Sequence, residues 1–588
     1  MSGRSLLVDQ AIGPLPERAP VSPFPRLCVL WLKIIAGLSI GFVYALKVRT
    51  GPSAIFFWGQ DAPVLAACVA LTAALAAWRW SPARGVCVSG FAIALALALV
   101  CLAAGALGDH LVMGDYTLAQ DEFLANFDAR IFASRRLYAA VPEPWAAHAG
   151  ALQPIYMLPL PQGRWASGYL PVSAALRALA SLGGAESLLN PALGALSIVL
   201  VWAIARRLWP EDRGPALVAA ALMGTSAQLI VMSMTAYAMS AHLAFNLAWL
   251  WLFLRGGRLG HAGAIAVGFL ATGLHQIFFH PLFVAPFILQ LGLERRWRLT
   301  ALYVAAYALI GLFWLAWWPV TLRLSGLGGG AAHAAAPIGA WWASRVADAL
   351  AAIRIDNLGE MGEQLVRFVS WQNPLTAPLA LAGAAAALRS GGVMRSLALG
   401  FVLTLGMLVL LPSPTHGWGY RYLHGLLGSA CLLAAWAWTR LTAGLAPDAR
   451  RSAGTAFAAA CAVSLAVLVP LRAWQTWAYV RPYASADRAI GGSHEEVVVI
   501  DHLGRRYFDL GTLNRNGPFL GPGPKVMALS AMDSAELARI CAAGPVALFD
   551  GDTAERFGVD LAPMTPPPEI LALRAELARL RCAHPFVG

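Results

Sequence analysis

Lysine is almost missing from this chain: only Lys33, Lys47 and Lys525 stand among its 43 basic residues, the rest being Arg. Charged residues of all kinds make up 13% of the 588 positions, about half of the roughly one quarter found in soluble domains. That scarcity excludes an ordinary soluble globular protein. There is no Walker A loop, no dinucleotide-binding glycine fingerprint and no HExxH, so nucleotide-driven work and zincin chemistry are not encoded. The eight cysteines show no metal-ligand spacing, which argues against a structural zinc site. No internal repeat recurs at a fixed period. The first 26 residues are polar and Pro-rich, carry Arg4, Arg18 and Arg26, and lack the short apolar core of a cleavable signal. They are expected to form a cytoplasmic tail.

What the chain has is apolar length. Hydrophobic residues are 59% of the sequence and the mean hydropathy is +0.62. Blocks of about 18 apolar residues, long enough to cross a bilayer as helices, recur over most of the chain. About thirteen membrane helices are predicted, near 27–46, 62–79, 86–107, 188–207, 215–233, 236–254, 262–280, 281–294, 299–319, 375–389, 396–411, 422–440 and 453–471. With a cytoplasmic N-terminus, every inner loop is basic (Arg79 and Arg84; Arg206, Arg207 and Arg213; Arg255 and Arg258; Arg295, Arg296 and Arg298; Arg389 and Arg395; Arg440, Arg450 and Arg451). The short outer loops then hold only Lys47, Arg49 and Arg421, as the positive-inside rule requires. Basic residues dispersed in this way explain the net charge of +12 by topology rather than by nucleic-acid binding.

Three large segments fall outside. Residues 108–187 contain the first. Residues 320–374 contain Trp341, Val346, Leu350 and Ile353 at helical spacing, which predicts a helix along the membrane interface. The tail from 472 to 588 reads as a small soluble α/β domain, with strands at 497–501 and 545–550, a capped helix over 533–544 and a last helix from Pro568. In an oxidising compartment Cys541 and Cys582 are candidates for a disulfide; the other cysteines lie in or beside apolar segments. The fold expected is therefore an all-α polytopic membrane protein, residues 27–471, with a small C-terminal α/β extracytoplasmic domain.

Three clusters at the outer ends carry polar groups. "GDYTLAQDEFLANFDAR", Gly114 to Arg130, places Asp121-Glu122 just beyond the third apolar block. A solvated acidic loop is the ordinary explanation; a carboxylate held there is also suited to accept a proton from an attacking hydroxyl. "GLHQIFFHPLF" carries His275, Gln276 and His280 before Pro281. Five residues apart, the two His do not share a helical face, so the alternatives are packing residues or groups facing a cavity. "PSPTHGWGYRYLHGLL", residues 412–427, holds His416, Trp418, Tyr420, Arg421 and Tyr422. Arg421 either snorkels in an aromatic belt or clamps phosphate oxygens bidentately. Gln228, His242 and Asn246 read as interhelical hydrogen-bond formers.

Taken together, an Asp-Glu pair in the first large outer loop, basic inner loops, an Arg-Tyr at the outer start of a late helix and an outer soluble tail resemble a GT-C glycosyltransferase. The nearest likeness is to the protein O-mannosyltransferase and aminoarabinose-transferase-like group, over roughly residues 86–440. Two apolar helices precede the one leading to the acidic pair, where many members have one. The resemblance implies transfer of a sugar from a polyprenyl-phosphate donor to a glycan, lipid or protein acceptor, with inversion, on the outer face of a bacterial inner membrane. It implies Asp121 as general base, Glu122 orienting the acceptor or a metal, and Arg421, Tyr422, His275 and His280 on the donor phosphate. His416 and Tyr420 are then substrate-binding, and a divalent ion is left open. Competing expectations are a transporter or flippase of lipid-linked saccharides, a glycan ligase, and a non-catalytic scaffold.

Overall fold

The structure is a computed structural model and describes residues 22–51, 53–81, 89–158, 160, 163–324, 355–410, 417–501, 510–559 and 565–587. Residues 1–21 of the tail, Cys87, the stretch from Trp341 to Ile353 and His416 lie outside the described residues.

All thirteen apolar segments contain helix. Among the described residues six helices are long and apolar enough to cross a membrane, or up to eight if each bent pair is one span. Large apolar side chains cover their outward surface: Leu99, Leu107, Leu309 and Leu312 are each more than half exposed, which in water would be a liability and in lipid is ordinary solvation. The bent pairs are Phe24–Gly37 with Ser39–Lys47, at 47°, and Gly214–Gly224 with Ala227–Ser233, at 56°. At the second bend Ser226 Oγ accepts the N–H of Leu229 at 3.2 Å, capping the new helix. Small residues let helices touch backbone to backbone. Gly41 faces Gly362, and Gly383 lies directly on the carbonyl of Leu433.

Two boundaries differ from expectation. The segment 262–280 is not one helix: Gly257–Thr272 stops at Gly273, and a new helix, Phe279–Leu293, carries Pro281 in its first turn, where the missing N–H costs nothing. His275 therefore sits in the connection, and His280 belongs to the next helix. The last predicted span does not end at 471. Helix Pro447–Val463 passes through a wider turn at Ser464–Leu468 and runs on as Val469–Gly492 to the tail.

The tail is an α/β unit with a four-stranded parallel sheet. Val497–Ile500 is flanked by Lys525–Ala528 and Val546–Phe549, and Ala583–Pro585 pairs with the latter. Asp533 Oδ1 accepts the N–H of Glu536 at 2.7 Å and starts helix Ser534–Ala543. Cys541 and Cys582 form a disulfide. This unit docks on residues 120–165: Gln120 Nε2 donates to Gly511 O at 2.8 Å, Trp165 Nε1 to Pro518 O at 2.8 Å and Asn516 Nδ2 to Leu152 O at 2.7 Å. A shared apolar core of Phe123, Phe127, Trp165, Val499 and Met527 seals the contact.

Candidate active site

Helix Gln120–Ala133 opens with the acidic pair. The Glu122 side chain turns back, and its Oε2 accepts the N–H of Ala119 at 3.1 Å, the return half of a capping box. Its Oε1 accepts the N–H of Ala236 at 3.1 Å. Both carboxyl oxygens thus bind backbone amides and pin this helix to the connection 234–238. Burial, and then the neighbouring Asp121, push the Glu122 carboxyl up to about 8. The structure gives Glu122 a positioning geometry, with both oxygens taken up by backbone amides.

Asp121 points elsewhere. Its Oδ2 pairs with Arg421 Nη1, and His275 Nε2 stands 3.9 Å from the same oxygen. Asp121 and Arg421 are both buried. The Arg421 guanidinium lies over the rings of Tyr237, at 5.0 Å, and Tyr422, at 5.2 Å, a favourable cation–π cage. His275 stacks on Tyr169 with ring centroids 4.5 Å apart. Tyr169 is held through Ser167, whose Oγ bonds Asp128 Oδ2 and whose N–H donates to Asp128 Oδ1 at 3.1 Å. Asp128 lies two turns after Asp121 on the same helix face, so one helix seats both the carboxylate and the support of its histidine neighbour. The Asp128 carboxyl is pushed up to about 6 by burial.

Of the residues singled out in the sequence, Asp121, Glu122, His275, Arg421 and Tyr422 come together. Tyr420 is buried nearby, its carbonyl accepting from Gln228 Nε2 at 3.1 Å and its hydroxyl without a hydrogen-bond partner. His280 is not brought to the pair. It bridges Asn246 Oδ1, at 2.7 Å, and Tyr307 Oη, at 2.8 Å, as an interhelical link. Gln228 and Asn246 are interhelical hydrogen-bond formers, as read; neither ring nitrogen of His242 has a hydrogen-bond partner among the described residues.

The sequence reading missed Tyr169 and Tyr237, which carry no signal by themselves. It also missed Asp61, Arg367 and Arg472. Asp61 accepts from Arg367 Nη1 at 2.8 Å, Arg472 Nη2 at 3.1 Å, Ser370 Oγ at 3.1 Å and Trp371 Nε1 at 3.0 Å. Arg367 Nε donates to the carbonyl of Gly417 at 2.7 Å, and Gly417 backs on the stem of Arg421. Ionisable residues at the ends of apolar segments were the available signal.

A divalent cation does not fit the acidic pair as it stands. Asp121 faces a guanidinium, and both Glu122 oxygens face N–H donors, whereas a cation needs free oxygen ligands. Among the described residues no group of three or more His, Cys, Asp or Glu side chains is gathered for a metal.

No protein-family model and no curated protein matches the chain. Among solved structures it is similar to ArnT from Cupriavidus metallidurans bound to undecaprenyl phosphate, at 14% identity over 82% of this chain and 96% of that one, with a TM-score of 0.43. It is also similar to the archaeal oligosaccharyltransferase AglB from Archaeoglobus fulgidus in complex with an inhibitory peptide and a dolichol-phosphate. That match has 12% identity over 74% of this chain and 64% of that one, with a TM-score of 0.40. At such values the likeness is one of general shape, and the chemistry has to be read from the site itself.

Proposed function

We propose that the protein is a membrane glycosyltransferase that takes a sugar from a polyprenyl-phosphate-linked donor and passes it to an envelope acceptor on the outer face of a bacterial inner membrane. One observation carries this reading: a buried guanidinium and a buried carboxylate meet at the end of the bundle that the charge pattern assigns to the outside. A lipid-borne donor fits this placement, because the bundle carries an apolar outward surface suited to lipid and nucleotide sugars are made on the cytosolic side.

In this mechanism the donor phosphate displaces Asp121 from Arg421, since a guanidinium matches phosphate oxygens bidentately. Asp121, released, takes the proton of the acceptor hydroxyl as its oxygen attacks the anomeric carbon. The bond between that carbon and the phosphate oxygen breaks, and the charge left on the polyprenyl phosphate falls on Arg421, stabilisation aimed at developing charge. Attack opposite the leaving group inverts the anomeric centre. Tyr237 and Tyr422 hold the guanidinium in place, and His275 borders the Asp121 oxygen. Glu122 fixes the turn that presents Asp121. No step requires a metal ion.

The test is mass spectrometry of envelope glycans and glycolipids from a deletion strain carrying nothing, the wild-type gene or Asp121→Asn at equal protein level. A single-sugar mass lost in the deletion and restored by wild type alone supports transfer. Full restoration by Asp121→Asn removes the general base and turns the reading towards transport.

A further inference from the structure

Beside the candidate pair lies an open cleft of about 370 Å³, within the roughly 300–1,000 Å³ of small-ligand sites. Its walls come from the end of helix Gly90–Leu111, from helices Gln120–Ala133 and Val172–Leu182, and from the connection 234–236. We infer that this cleft binds the acceptor, and that the acceptor presents a polyhydroxylated saccharide there. The inference rests on the transferase reading above and adds the acceptor's chemistry to it.

Position is the first argument. Ala236, on the cleft wall, is the residue whose N–H holds Glu122. Asn126, also on the wall, stands one turn beyond Glu122 on the helix that presents Asp121. Tyr237, next in the chain, lies under Arg421. A ligand in the cleft is thus seated against the two segments that build the site, on the aqueous side of the apolar helix.

Lining chemistry is the second. Asp109, Asp115 and Glu186 supply carboxylates, Arg130 and Arg177 guanidiniums, and the rest of the polar lining is carboxamide and hydroxyl. Such a mixture of fixed acceptors and forked donors reads vicinal hydroxyls. It offers no apolar trough for a prenyl or acyl chain. A polyanionic acceptor is disfavoured too: carboxylates outnumber guanidiniums, and Arg177 is already engaged by Glu186 at 3.2 Å and by Asn126. The Asp109 carboxylate makes no hydrogen bond or ion pair among the described residues, and Arg130 is exposed. These two are the charged groups left, among the described residues, to receive a ligand.

The experiment uses full-length protein in nanodiscs and saturation-transfer NMR with methyl glycosides of mannose, glucose, galactose and arabinose as probes, alongside a Ser/Thr-containing peptide. At least one glycoside is expected to receive saturation from wild type. Asp109→Asn and Arg130→Gln are each expected to weaken it about tenfold, the worth of one hydrogen bond to a charged group, at unchanged unfolding temperature. In the deletion strain the cleft variants should reduce the product, and its appearance in polysaccharide or glycolipid fractions identifies the saccharide's source. Absence of any glycoside signal, equal signals in wild type and cleft variants, or a signal from the peptide alone overturns the inference. Persistence of product with Asp121→Asn overturns the catalytic reading instead, and leaves saccharide binding standing or falling on the NMR alone.

Discussion

Asp121 and Arg421, 300 positions apart, share one buried ion pair in which the carboxylate also faces His275. Neither residue is near the other in sequence, and the guanidinium also lies over the rings of Tyr237 and Tyr422.

Breaking that pair from one side strands a charge. Arg421→Ala is expected to cost about 3–5 kcal/mol, the penalty of leaving a buried partner uncompensated, and to abolish product formation. The double variant Asp121→Asn with Arg421→Gln should recover much of the stability and none of the activity. Thermal unfolding in detergent beside product mass spectrometry separates the two effects; equal stability of the single and double variants would remove the ion pair as a source of either.

Stability is expected to depend on pH through Glu122. Its carboxyl stands at about 8 in the folded chain against 4.5 ordinarily. Between these values the folded state holds a proton that the unfolded chain has lost, so stability falls as pH rises from about 4.5 to about 8 and levels off above. Glu122→Gln, which cannot ionise, should show a shallower slope over that window. Unfolding temperatures at pH 5, 6.5 and 8 for both forms decide it.

Asp61 pairs with two buried guanidiniums, Arg367 and Arg472. Asp61→Ala is therefore predicted to destabilise by about 3–5 kcal/mol. Replacing Arg367 and Arg472 by Met in the same chain should offset part of that loss. Because Arg367 also holds the Gly417 carbonyl behind Arg421, Arg367→Lys, which keeps the charge but not the fork, should raise the KM for donor more than it changes unfolding.

The Cys541–Cys582 disulfide closes a loop with a sequence separation of 41, for which loop entropy predicts about 4 kcal/mol within the tail. Cys582→Ser should make the tail the first part to be cleaved by protease, with reductant reproducing the effect in wild type. Non-reducing peptide mapping gives the direct check.

The sequence alone located the apolar helical segments, though not all their breaks and ends, because apolar length and basic loops are local quantities that a bilayer reads directly. It also put Asp121, His275 and Arg421 at the same end of the bundle before any contact was known, and the structure brings the three together. The short strands Lys525–Ala528 and Ala583–Pro585 were not legible, since each gains its place only by pairing with a neighbour. Tertiary structure decided what each polar group faces. His275 and His280 look equivalent in the string, yet a helix break sends one to Asp121 and the other to Asn246 and Tyr307. Asp121 and Glu122 are adjacent acids, yet successive positions on a helix point about 100° apart, so one meets a guanidinium and the other two backbone amides. Asp61, Arg367 and Arg472 stand far apart in the chain, and only the packing of three helices makes them a single charged centre. Partners of this kind are set by helix rotation and crossing, which depend on every contact in the bundle and are written in no single stretch of sequence.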